Sequence, residues 1–75
     1  MEIEKLMNDL EETEITIKEL HDTANKLEEI RDKLPIGIAR ERTEVFIQEL
    51  NKEIEWNEEI KQEIKDGINF EIMRN

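Results

Sequence analysis

Leu34-Pro35-Ile36-Gly37 is the stretch on which the fold depends. Proline disfavours a helical conformation in the residue before it, and glycine loosens the backbone, so a helix that reaches this point must stop. The sequence is periodic on both sides of the break. Upstream, Ile3, Leu6, Leu10, Thr13, Ile17, Leu20, Ala24, Leu27 and Leu34 follow alternating steps of three and four, with Arg31 as a charged interruption. This is a heptad stripe, and it predicts one amphipathic helix over about residues 2–34. Glu14 with Lys18, Asp22 with Lys26 and Glu29 with Lys33 are acid-before-base pairs four apart, each contributing about 0.2–0.5 kcal/mol when formed. The weak segment is Thr13-Glu14-Ile15-Thr16-Ile17, which is rich in β-branched side chains and points Ile15 off the stripe.

Downstream of the break, Ala39, Phe46, Ile47, Leu50, Ile54, Ile60, Ile64 and Ile68 form a broader apolar face. It predicts a second helix over about 38–66. Asp66-Gly67 then offers a glycine stop, and Ile68-Asn69-Phe70-Glu71-Ile72 alternates with period two. Residues 67–75 therefore read as a tail, either a short extended strand or a frayed helical end, that caps the core. With residues 35–37 as a tight turn, the predicted fold class is all-α. It is a single antiparallel, coiled-coil-like two-helix hairpin. Its expected core or dimer seam comprises Leu10, Ile17, Leu20, Leu27, Phe46, Leu50, Asn57 and Ile64. Asn57 lies inside the apolar stripe, where a buried asparagine fixes register or orientation in coiled coils. A lone hairpin leaves one side of its seam wet, so a homodimer forming a four-helix arrangement is the simplest stable solution.

Composition points the same way. Charged residues make up 43% of the chain and hydrophobic ones 36%, a balance close to that of long solvated helices. Without cysteine there is no disulfide framework and no thiolate metal site, which suits a reducing compartment. Met1-Glu2-Ile3-Glu4 lacks the basic and apolar regions of a signal peptide, and the apolar run Val45-Phe46-Ile47 falls far short of the roughly 20 residues needed to span a bilayer. The expected location is the cytoplasm, with no membrane association. A net charge of −10 opposes direct contact with nucleic acid. A protein with a basic surface is the natural partner.

Residue types for catalysis are missing. His21 is the only histidine, and the residue three before it is Lys18, so the Glu-x-x-His pattern of helical di-iron sites is absent. The chain has neither serine nor cysteine, and its two glycines form no phosphate-binding loop. No twelve-residue calcium loop occurs either. The expectation is a non-enzymatic protein with no metal and no cofactor. Gln48-Glu49-Leu50-Asn51 resembles part of the Ser-Gln-Glu-Leu-Asp signature of the short helical-hairpin phosphatases that act on sporulation response regulators. Ile47 stands here for the serine and Asn51 for the aspartate, so the signature's carboxylate is missing and the resemblance does not extend to the activity.

Binding has better candidates. Glu55, Glu59, Glu63 and Asp66 recur at steps of four, four and three on the second helix, with Glu58 beside them. Like charges four apart cost a helix a few tenths of a kcal/mol each, and a carboxylate stripe is suited to basic side chains. Trp56 lies on the flank of the apolar stripe, placed either to anchor a partner or to pack at a homodimer seam. Residues 1–22 carry eight acids and two bases, residues 23–43 four acids and five bases, and residues 44–75 nine acids and four bases. In a hairpin the turn end is thus near neutral and the open end strongly negative. Over a helix of about 30 residues, roughly 45 Å, ten net charges fall at one per 4–5 Å, or one per ~2 Å in a dimer, against about one per 1.7 Å for duplex DNA. The expected function is an acidic regulator or inhibitor that binds a protein, in its narrowest form a DNA mimic on a DNA-binding partner. The alternative is a structural coiled-coil adaptor for oligomerisation.

Overall fold

A computed structural model describes residues 2–74 as two helices, α1 (Glu2–Lys33) and α2 (Ile38–Arg74), packed against each other. Met1 and Asn75, at the ends of the expected domain and tail, lie outside the described residues. The hairpin is a rod of 58 × 14 × 12 Å.

Local chemistry sets the helix ends. The Leu34 N–H donates to the Arg31 carbonyl at 3.1 Å, tightening the last turn of α1. Pro35 follows and cannot continue it. The Gly37 carbonyl accepts the first bond of α2, from the Glu41 N–H at 3.1 Å, which makes Gly37 the N-cap. Arg40 reaches back across the turn, its guanidinium donating to the Leu34 carbonyl at 3.5 Å. The β-branched segment of α1 stays helical: Thr13 and Thr16 turn their hydroxyls onto the carbonyls of Asp9 and Glu12, at 2.7 and 3.0 Å.

Two cross-helix contacts and one across the turn fix the register. Leu6 lies beside Gly67, Arg31 bonds Glu44 at 2.6 Å, and Leu34 meets Arg40. This alignment sets Leu27 level with Ile47, Leu20 with Ile54 and Ile17 with Asn57. The inward positions of α1 are those of the heptad stripe. Ile17 and Ala24 are buried, with Leu6, Leu10, Thr13, Leu20, Leu27 and Leu34 half-buried around them. On α2 the inward positions run Arg40, Thr43, Ile47, Leu50, Ile54, Asn57, Lys61, Ile64, Ile68 and Glu71, again by threes and fours.

Two residues expected on the apolar face turn outward in the hairpin, and α2 runs longer than the expected 38–66. Ile47 takes the core position at 2% exposure, which rotates its neighbour Phe46 outward to 53%. Phe46 therefore lies outside the seam between the helices. Ala39, expected on the same apolar face, is exposed as well. The tail is helix: α2 runs through Gly67 to Arg74 without a strand, because Ile68 and Glu71 continue the inward spacing and Gly67 keeps an ordinary negative φ. Exposed i,i+4 ion pairs gain little against side-chain entropy. The ion pairs seen among the described residues include Arg31 with Asp32 and Glu44, and Arg74 with Glu71, while Glu14–Lys18, Asp22–Lys26 and Glu29–Lys33 do not form.

Candidate protein-interaction surface

The packed seam leaves two flanks and an outward back on each helix. One flank of α2 follows Glu44, Gln48, Asn51, Glu55, Glu58, Gln62 and Lys65, and the adjoining flank of α1 carries Glu4, Glu11, Glu14, Lys18, His21, Glu28 and Asp32. The antiparallel register sets Glu14 level with the segment around Glu58. Carboxylates Glu11, Glu14, Glu55 and Glu58, all exposed, thus come from both helices onto one side of the rod. The sequence reading found only the two from α2. The contribution of α1 depends on register, which a single helix's spacing does not contain.

The predicted stripe does not stay on this flank. Successive i,i+4 steps drift around a helix of 3.6 residues per turn. Glu55 accordingly begins on the acidic flank, Glu59 and Asp66 lie on the outward back, and Glu63 reaches the other flank. All five acids of the predicted site, Glu58 included, are exposed. Gln62 donates to the Asp66 carboxylate at 3.0 Å. Trp56 is 59% exposed and shares the far flank with Glu63. That flank follows Arg42, Phe46, Glu49, Glu53, Trp56, Ile60, Glu63, Gly67 and Phe70 in alternating steps of four and three. It holds all three aromatic side chains of the protein, Phe70 being 64% exposed.

Among the described residues no three His, Asp or Glu side chains converge to hold a metal ion. The concavity at the turn, lined by Arg31, Ile36, Arg40 and Glu44 among others, is shallow and open. Both of its arginines are engaged, Arg40 by the Leu34 carbonyl and Arg31 by two carboxylates. The Arg31 guanidinium is held above its ordinary pKa, first by its hydrogen bond to Glu44 and then by that to Asp32. No helix of the described chain is long and apolar enough to cross a membrane.

The chain matches no family model, and neither the curated proteins nor the solved structures yield a significant match. Its surface must therefore be read from its own chemistry. In the partial phosphatase-like tetrapeptide, Gln48, Glu49 and Asn51 are exposed and Leu50 half-buried. Ile47, at the place of the signature's serine, is the most enclosed of the four core side chains. Asn57 lies half-buried at a seam position, where its amide donates to the Glu53 carbonyl of its own helix at 2.8 Å.

Length changes the charge arithmetic. Over 58 Å, ten net charges fall at one per ~6 Å, or one per ~3 Å in a side-by-side dimer, which is sparser than duplex DNA at about one per 1.7 Å. The longer α2 dilutes the charge relative to a 30-residue helix. The distribution is uneven, however. Residues 1–22 and 52–75, the open half, hold fifteen acids and six bases, whereas residues 23–51 hold six acids and five bases.

Proposed function

We propose that the protein acts by binding a basic surface on another protein, as an acidic regulator or inhibitor, and that it has no catalytic step of its own. The observation that carries this reading is the acidic flank. Glu11, Glu14, Glu55 and Glu58 are exposed, drawn from both helices and held on one side of a rod. A fixed row of carboxylates meets lysine and arginine side chains without the ordering cost of a flexible acidic tail, and the net charge speeds encounter with a cationic partner. A cytoplasmic setting belongs to this proposal and suits a cysteine-free chain. Occupation of a nucleic-acid-binding surface is its narrower form. The support for that form lies in the open half, where nine of the ten net charges gather.

The test is capture and identification of partners from the source cell, followed by titration of the captured partner against a Glu14→Gln, Glu55→Gln, Glu58→Gln variant. Affinity should drop tenfold or more in the variant, and the wild-type complex should weaken steeply between low and moderate salt. An affinity indifferent to both changes removes the proposal. A second reading, a structural adaptor, draws on the aromatic flank instead, and predicts assembly that salt leaves intact.

A further inference from the structure

The flank that carries the aromatic side chains lies unpartnered in the hairpin. Phe46, Trp56 and Phe70 are 53%, 59% and 64% exposed, while the enclosed core amounts to Ile17, Ala24, Ile47 and Ile54. A small domain ordinarily spends its aromatic residues on its core, since they bury the most apolar area. Here every one of them points outward along the same face. We propose that this face is an antiparallel homodimer interface, with α2 of one copy laid against α2 of a second copy.

Charge selects the second copy as the occupant and sets its direction. At the turn end the flank carries Arg42, and the adjoining strip of α1 carries Lys26 and Lys33. Glu49 is the one acid in this half, which stays net positive. Beyond Glu53 the flank carries Glu63, and the adjoining strip of α1 carries Asp9, Glu12 and Glu19 against Lys5. One end of the face is therefore basic and the other acidic, which makes it complementary to itself when reversed. A two-fold axis level with Glu53 sets Arg42 opposite Glu63 of the second copy and Phe46 opposite its Ile60. Parallel pairing would instead press two open halves together, each with a net charge near −9. About this axis the flank pairs from Arg42 to Glu63, about 32 Å, and two helices are about 20 Å wide. This offers about 600 Å² per copy, the lower end of specific stable interfaces. The proposal does not rest on the basic-partner reading, because Glu14, Glu55 and Glu58 lie on the other flank and stay exposed in such a dimer.

Absence of cysteine makes the geometry directly testable. Arg42→Cys and Glu63→Cys proteins, mixed and oxidised, should form a disulfide-linked heterodimer, while Arg42→Cys alone should remain uncrosslinked. Sedimentation across a concentration series should show a dimer that Phe46→Glu or Trp56→Glu weakens at least tenfold. Circular dichroism should stay helical in both variants, because these side chains are exposed in the hairpin. Glu53 meets its own copy at the axis, so Glu53→Gln should tighten the dimer. A wild-type chain that stays monomeric throughout, efficient crosslinking of Arg42→Cys to itself, or a dimer indifferent to Phe46→Glu and Trp56→Glu would each overturn the proposal.

Discussion

Gly67 shows how one atom can change the reading of a residue. A glycine after Asp66 suggests a helix stop, yet here it occupies an ordinary helical conformation against Leu6. A Cβ at this position would lie 3.6 and 3.7 Å from the two methyl carbons of Leu6, in plain van der Waals contact. Gly67→Ala should therefore stabilise the protein by about 1 kcal/mol, from helix propensity with a small packing gain. Urea unfolding followed by circular dichroism checks it, and a lower midpoint would mean that the helix does not run through this position. At the other end, Arg31 joins the helices through Glu44, and Arg31→Ala should lower the melting temperature. The sign of its pH dependence follows from the raised guanidinium pKa. A cation whose folded pKa lies above the unfolded value contributes fully below the unfolded value, and loses its contribution only as pH rises through the folded one. Both lie beyond the ordinary alkaline range. The melting difference between wild type and Arg31→Ala should thus stay constant from pH 7 to about pH 10, and a difference that closes over this interval would contradict the ion-pair account.

At the scale of the helices, α1 was legible in the sequence because its inward positions are apolar with few exceptions. In α2 the same spacing is hidden. Arg40, Thr43, Asn57, Lys61 and Glu71 occupy inward positions, and the pair Phe46-Ile47 offers two candidates for one place. The sequence reading put both on the apolar face and Phe46 in the core or dimer seam, whereas the phase set by Leu50 and Ile54 selects Ile47 for the core. The period-two pattern of Ile68-Asn69-Phe70-Glu71-Ile72 left the tail open between a strand and a helical end, and packing on the start of α1 selects the helix. The acidic flank was half legible, since spacing along α2 shows Glu55 and Glu58 but only the register adds Glu11 and Glu14. Asn57 belongs to this scale too. Its amide bonds its own helix, so it makes no cross-helix bond that would fix the register. Asn57→Leu should place apolar surface level with Ile17 and raise stability by about 1 kcal/mol, with the helical content unchanged. Destabilisation on urea unfolding would show that the asparagine is needed at the seam.

For the whole molecule the charge acts twice, with opposite signs. A chain with net charge −10 repels itself when compact, and the open half concentrates that repulsion where Glu11, Glu14, Glu55 and Glu58 share one flank. Salt screens it, the Debye length falling from about 30 Å at 0.01 M to about 8 Å at physiological ionic strength. The hairpin should therefore melt at a higher temperature as sodium chloride rises over that range. Glu55→Gln with Glu58→Gln should reproduce part of the gain at low salt and respond less to added salt. Binding to a basic partner moves the other way, because the same screening removes the attraction that brings the two proteins together. A fold strengthened by salt and a complex weakened by it would share one origin in these carboxylates. If melting were insensitive to salt while the Gln variants still lost partner affinity, the flank would act through specific contacts rather than through its field.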